Sequence, residues 1–270
     1  MNISISNIAW EMSEDAKVLD LLKEYSIHGL EVAPTKIWDN PTEASVEDIK
    51  IFKEKWSQHN IELVGMQSLL FGQTDLYLFK STNSRENLKN YLIKIIELAG
   101  ILGTKNLVFG SPKNRLVEGK SKKEQLEIVI PFFQQLGKTA LDNNVLLCIE
   151  PNAPQYGCDF ITNTDEAIEL IELINHPGIQ LHLDAAVMTL NKENYAESLE
   201  KASPYLAHFH ISEPYLNLIG SENTDHHAIF NALNKINYKK WISIEMKNGL
   251  LDNNIDSVKK SLDFVSKIYK

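Results

Sequence analysis

Eight short apolar runs, separated by amphipathic stretches, set the strongest limit on what this chain can fold into. The runs are Ile3–Ile8, Gly29–Ala33, Ile61–Met66, Asn106–Gly110, Val145–Glu150, Gln180–Asp184, Ala207–Ile211 and Ile242–Met246. Between them apolar residues recur three and four positions apart, as in Asn87–Leu102 and Gln125–Leu141, and Asn254–Tyr269 supplies an eighth helix. Ser13 before Glu14-Asp15 and Thr164 before Asp165-Glu166 read as helix starts. Strand–helix alternation implies βαβ units and parallel strands, and eight units close a barrel more naturally than they extend an open sheet. A doubly wound sheet is the structural alternative, yet no G-x-G-x-x-G or P-loop follows the first run. No Pro/Gly/Ser-rich linker, low-complexity tract or repeat divides the 270 residues. The expectation is an α/β fold: one (β/α)8 TIM-barrel domain over residues 1–270. Its longest connections, near 67–83, 111–120, 151–163 and 212–225, all follow strands and would crowd the functional mouth.

The bulk properties narrow the function classes. A formal charge of −9 argues against a nucleic-acid surface, which needs a basic patch, and against an anionic membrane. The opening MNISISNIAWEMSED has neither a basic start nor a long apolar stretch, so no signal peptide is expected. No run approaches the ~18 apolar residues of a membrane span. Cys148 reads as a strand residue and Cys158 as a loop residue, too few for a disulfide framework. A cytoplasmic protein is expected. Self-association into a homo-oligomer is left open.

Four of the runs end in a side chain able to bind metal: LLCIEPN in Glu150, IQLHLDA in Asp184, LAHFHIS in His210 and WISIEMK in Glu245. On four consecutive parallel strands these groups would converge on one barrel mouth, where such folds keep their chemistry. Three carboxylates and an imidazole are mostly hard donors, suiting one Mn²⁺, Mg²⁺ or Co²⁺ ion; Zn²⁺ is the poorer match. Without the ion, mutual repulsion should raise at least one carboxyl pKa. Each residue taken singly could equally be a surface cap.

Further candidates carry an open alternative. His182 and His208, each two positions before a candidate ligand, either contact substrate or are hydrogen-bonded core histidines. Asn152 either holds a substrate hydroxyl or turns the chain after Pro151, and Glu31 and Gln67 either reach the pocket or orient loops. Trp10 either stacks on a sugar ring or packs. In the His226-His227 pair one ring faces the mouth and the other is solvated, or neither contributes. Lys113, Arg115 and Lys247 lie near strand ends and could meet a phosphate or carboxylate, although exposed lysines are common. Barrel phosphate sites often use the loops after strands seven and eight. Ser212 through Asn234 contains no Lys or Arg, which weakens the case for a phosphorylated substrate.

With these residues in place, the chain resembles the xylose isomerase-like barrel superfamily, in its sugar (phosphate) isomerase/epimerase branch. The similarity runs through ISISNIAW with GLEVAP, CIEPN, LHLD, HFHISEP and HHAIFNALNKINYKKWISIEMK. It implies that Asp184 and His210 hold the metal while Glu150 and Glu245 both bind it and exchange protons with the substrate. The implied activity is a metal-dependent isomerase or epimerase acting on a small-molecule carbohydrate through a metal-stabilised enediolate. A lyase dehydrating a polyol or keto-acid at the same site is one alternative, and a non-catalytic sugar-binding barrel another. Ketose 3-epimerases of this fold usually carry a histidine and an arginine where this chain has Val187 and Leu216, so its substrate is expected to differ from a simple free ketohexose or to be held by other loops. The apurinic endonuclease relatives need additional histidines on earlier strands. Gln67 closes strand three here and no histidine falls between His59 and His176, which argues against DNA repair.

Overall fold

A computed structural model describes residues 1–270. Eight strands form a closed, wholly parallel barrel in chain order: β1 (Asn2–Ser6), β2 (Gly29–Val32), β3 (Glu62–Met66), β4 (Asn106–Phe109), β5 (Leu146–Ile149), β6 (Ile179–Asp184), β7 (Leu206–Ser212) and β8 (Trp241–Glu245). Pairing of β1 with β8, from Asn2 opposite Trp241 to Ile5 opposite Ile244, closes the ring. Outside it lie α1 (Asp15–Glu24), α2 (Val46–Ser57), α3 (Thr82–Leu102), α4 (Lys122–Asp142), α5 (Thr164–Ile174), α6 (Ala185–Leu190), α7 (Tyr195–Ala202), α8 (His226–Lys235) and α9 (Asn254–Ile268). Helices on one face and a filled interior on the other explain why β2, β4 and β7 are buried at every residue. One contiguous cluster of 67 buried apolar residues joins the barrel wall to the helices. No helix is long and apolar enough to cross a membrane.

Several expected boundaries move, each for a local reason. The first strand stops at Ser6, whose hydroxyl accepts from the Ile8 amide and turns the chain into a short 3-10 segment. Ser13 caps nothing: Glu11 and Glu14 form a reciprocal capping box around a 3-10 turn, and α1 starts at Asp15. Thr164 is the first residue of α5 rather than its cap, because the Asn163 side chain already accepts from the Glu166 amide at 3.0 Å. Two helices, not one, lie between β6 and β7, since Asp184 caps α6 directly at the end of its strand.

The barrel interior divides into two regions. Ile and Leu side chains dominate the strand faces packed on the helices, while the inner face toward the C-terminal end is polar, with Ser4, Ser6, Glu31, His182, His208 and Ser243 all fully buried. The long connections after β3, β4, β5 and β7 rise around that end, as the strand directions require. Between β4 and α4, Phe133 is fully buried and stacks edge-on against Phe109 and Phe132, with centroids 5.4 and 5.3 Å apart. Phe133→Ala should cost ~3–5 kcal/mol of unfolding free energy by leaving a cavity there; chemical denaturation checks this.

Candidate active site

Strand ends bring Glu150, Asp184 and His210 together, with one donor atom from each lying within 4.8 Å of the others. Glu245, at the end of β8, approaches the same imidazole: its Oε2 lies 3.3 Å from His210 Nδ1, with Asp184 Oδ2 at 4.0 Å. His210 Nδ1 is buried and has no hydrogen-bond partner. A ring nitrogen facing carboxylates, able to give up its proton, is an arrangement a divalent cation would satisfy. Glu150, Asp184 and Glu245 line a cavity of about 300 Å³ at the mouth, together with Gln67, Asn152, Tyr156, Val187, Tyr215 and Leu216.

Each of these side chains is held by its surroundings. Asp184 accepts from the Val187 amide at 2.8 Å as the cap of α6, and the Ser212 hydroxyl donates to its other oxygen. Glu150 accepts from Asn152 Nδ2 at 3.1 Å and lies 3.4 Å from His182 Nε2. Gly110 leaves room for it, because a Cβ there would sit 2.1 Å from Glu150 Oε2. Behind His210, the fully buried Glu31 carboxylate accepts from His210 Nε2 at 2.9 Å and from His208 Nε2 at 3.0 Å. These bonds put the protons of both rings on Nε2 and turn His210 Nδ1 toward the cavity. His182 stacks edge-on against His210, with centroids 4.0 Å apart.

The charges respond as burial and proximity dictate. Burial, followed by repulsion from Glu245 and Asp184, pushes the Glu150 carboxyl up to about 8. Burial and Glu245 likewise push Asp184 to about 6. Burial opposes a charge on His210, but the Glu31 and Glu245 carboxylates outweigh it and hold the ring well above the usual histidine range. Glu31 is also penalised by burial, yet His210 and His208 bring it well below the ordinary carboxylate value. Burial drives His182 the other way, toward the neutral form.

Other expected residues fall elsewhere. Trp10 turns away from the mouth into a crevice beside α2, because its indole N–H donates to Asp15 at 2.7 Å. Arg115 is fully buried and donates to the Glu150 carbonyl at 2.8 Å, so it supports the backbone rather than facing a ligand. Lys247 is spent on the Tyr215 carbonyl at 3.3 Å, and Lys113 lies in an adjoining groove. His226 is buried between Glu213 at 3.0 Å and the Tyr269 hydroxyl at 2.9 Å, well tied but outside the cavity. Glu213 also accepts from the Gly220 amide at 2.9 Å. Two aromatic residues of the cavity are not among the sequence candidates: Tyr156, whose hydroxyl accepts from the Tyr215 amide at 3.1 Å, and Tyr215, which stacks on it with centroids 5.6 Å apart. A tyrosine one or two positions after a proline in two mouth loops was the available signal.

Comparison with known proteins agrees with this fold. Residues 19–268 match the family described as xylose isomerase-like TIM barrel. An L-ribulose 3-epimerase of Methylomonas sp. (strain DH-1) is 26% identical over 127 residues, which is 47% of this chain and 44% of that protein. A D-psicose 3-epimerase of Enterocloster bolteae is 29% identical over 126 residues, covering 45% of this chain and 41% of the relative. The matched stretch thus spans under half the length of each of these curated relatives. Among solved structures, D-psicose 3-epimerase with D-tagatose from Clostridium cellulolyticum H10 superposes with a TM-score of 0.81 at 16% identity, over 100% of both chains. At that identity the likeness is one of fold.

Two outcomes are expected. A carboxyl whose folded pKa exceeds its unfolded value stabilises the fold only below that unfolded value, so Glu150 makes the metal-free protein lose stability as pH rises from 4.5 to about 8. The raised His210 value acts in the same direction above 6.5. Calorimetry should therefore find a melting temperature that falls across this range. Mn²⁺ should restore it, by about 2.7 kcal/mol at a hundredfold excess over Kd. Gly110→Ala should displace the Glu150 carboxylate and weaken Mn²⁺ retention in equilibrium dialysis, with the fold intact by circular dichroism.

Proposed function

The chain belongs to the xylose isomerase-like TIM barrel family, and from that footing we propose that it is a divalent-metal-dependent sugar isomerase or epimerase of a single barrel domain. The observation that carries this reading is the pair Glu150 and Glu245 on β5 and β8, flanking the β6–β7 pair that bears Asp184 and His210. The curated relatives named as ribulose and psicose 3-epimerases favour epimerisation beside a ketone.

Glu150, Asp184, His210 and Glu245 would hold the ion, the last two through the facing Nδ1 and carboxylate oxygen. Three carboxylates suit Mn²⁺, Mg²⁺ or Co²⁺ better than Zn²⁺. When bound, a divalent ion would polarise the substrate carbonyl and offset the negative charge that grows as a neighbouring C–H bond breaks. One glutamate takes that proton, and the C–H electron pair moves toward the carbonyl. The same or the facing glutamate returns a proton. Delivery to the opposite face of the same carbon gives an epimer; delivery to the neighbouring carbon, with the adjacent hydroxyl's proton passing to the former carbonyl oxygen, gives an isomer. Asn152 Nδ2, 3.1 Å from Glu150 Oε2, aims that carboxylate. Tyr156 and Tyr215 wall the cavity against water. Val187 and Leu216 make part of the wall apolar, so hydroxyls remote from the reacting carbons must find partners elsewhere. Cys148 and Cys158 are both buried and unpaired, which suits a cytoplasmic setting.

The test is proton exchange. Incubating the Mn²⁺-loaded protein with ketopentoses and ketohexoses in D2O should place deuterium at the epimerised carbon, read by NMR. Glu150→Gln and Glu245→Gln should each lower the exchange rate ~10²–10⁴-fold, and chelation should abolish it. A turned-over sugar that keeps its proton would rule out this chemistry. A product lighter by one water would reassign the site to a lyase.

A further inference from the structure

Beside the proposed catalytic cavity lies a larger one, of about 500 Å³, formed by the loops after β3 and β4. The two share Ser68, Ser111 and Pro112, so they form one continuous trough with a serine saddle. The inner cavity alone sits at the bottom of the ~300–1,000 Å³ range in which proteins enclose small ligands, and the joined trough falls well within it.

The outer cavity is built rather than incidental. Its two loops are laced together: the Leu78 amide donates to the Asn114 carbonyl at 2.8 Å, and the buried Asn114 amide donates to the carbonyls of Gln73 and Leu76 at 2.9 and 2.7 Å. At the saddle, Ser68 and Ser111 both adopt left-handed backbone, with φ of 54° and 44°, a conformation unfavourable for serine. Phe71, 71% exposed, is the most exposed of the large apolar side chains and lines the outer cavity with Tyr77. Lys113 on the same wall pairs with no carboxylate.

We propose that the outer cavity is a subsite for a second sugar ring, so that the substrate is a ketose carrying a glycosyl group at the end remote from its carbonyl. This deepens the isomerase/epimerase reading and rests on it. Val187 and Leu216 offer no side-chain hydrogen-bond partner on their part of the inner wall. A glycosylated ketose carries its chain over the serine saddle. There the second ring meets Phe71 and the face of Tyr77 not covered by Lys80, whose Nζ lies 4.5 Å from that ring's centre, while Gln73 and Lys113 supply hydrogen bonds at its edge. A phosphate is the poorer occupant, because Lys113 is the one cation lining this cavity, Lys80 is engaged over the Tyr77 ring, and Arg115 is buried.

Titration calorimetry of the Mn²⁺-loaded protein with isomaltulose, D-fructose and D-fructose 6-phosphate tests the assignment. Isomaltulose should bind at least tenfold more tightly than fructose. Phe71→Ala and Tyr77→Ala should each remove most of that advantage while leaving fructose affinity within twofold. Equal affinities for the two sugars, a preference for fructose 6-phosphate, or an equal loss for both sugars in the variants would overturn the subsite. Deuterium exchange separates the two readings. A binding preference without exchange into any bound ketose keeps the subsite and sinks the proposed activity. Exchange into fructose without the preference does the reverse.

Discussion

A carboxylate at the centre of a protein is tolerable only when donors or cations surround it, and Glu31 organises the interior of this barrel on that condition. It arrives on β2 and takes one bond from each of two imidazoles on β7. Gly65 on β3 lies alongside, where a Cβ would stand 3.0 Å from the Asn106 carbonyl oxygen. Strands five positions apart in sequence order are thereby linked across the barrel. One consequence reaches the mouth: the ring of His210 has no freedom to flip, so its second nitrogen faces Asp184 and Glu245.

The fold was readable because the alternation of buried strand and amphipathic helix is a local property of the sequence. The four strand-end residues were readable for a related reason: parallel strands in a closed ring all finish on one side, so the last side chains of β5 to β8 must meet. Loop residues offered no such rule. Trp10 follows a strand as Asn152 does, but a 3-10 turn and the Asp15 carboxylate carry its ring away from the mouth to a buried position beside α2. His226 sits on the first turn of α8, where rotation about the helix axis decides whether it faces the mouth or α9. Nothing in the order of residues fixes that angle. Tyr156 and Tyr215 come together only because two separate loops pack on each other.

Arg115 illustrates a cost that the sequence conceals. Its guanidinium is fully buried, donates once to the Glu150 carbonyl, and leaves Nε and Nη1 without partners. An unpaired buried cation is destabilising on its own. Here it is held by the backbone directly under Glu150. Removing it would free that carbonyl and relax the backbone under the glutamate.

The loop after β7, which carries Tyr215 and Leu216 at the rim, is moored through Glu213, His226 and Tyr269 to the end of α9. That helix end is therefore mechanically connected to the pocket. A bulky group crowding Tyr269 would tug at the rim without touching it, so packing at a distance from the cavity helps to set its shape.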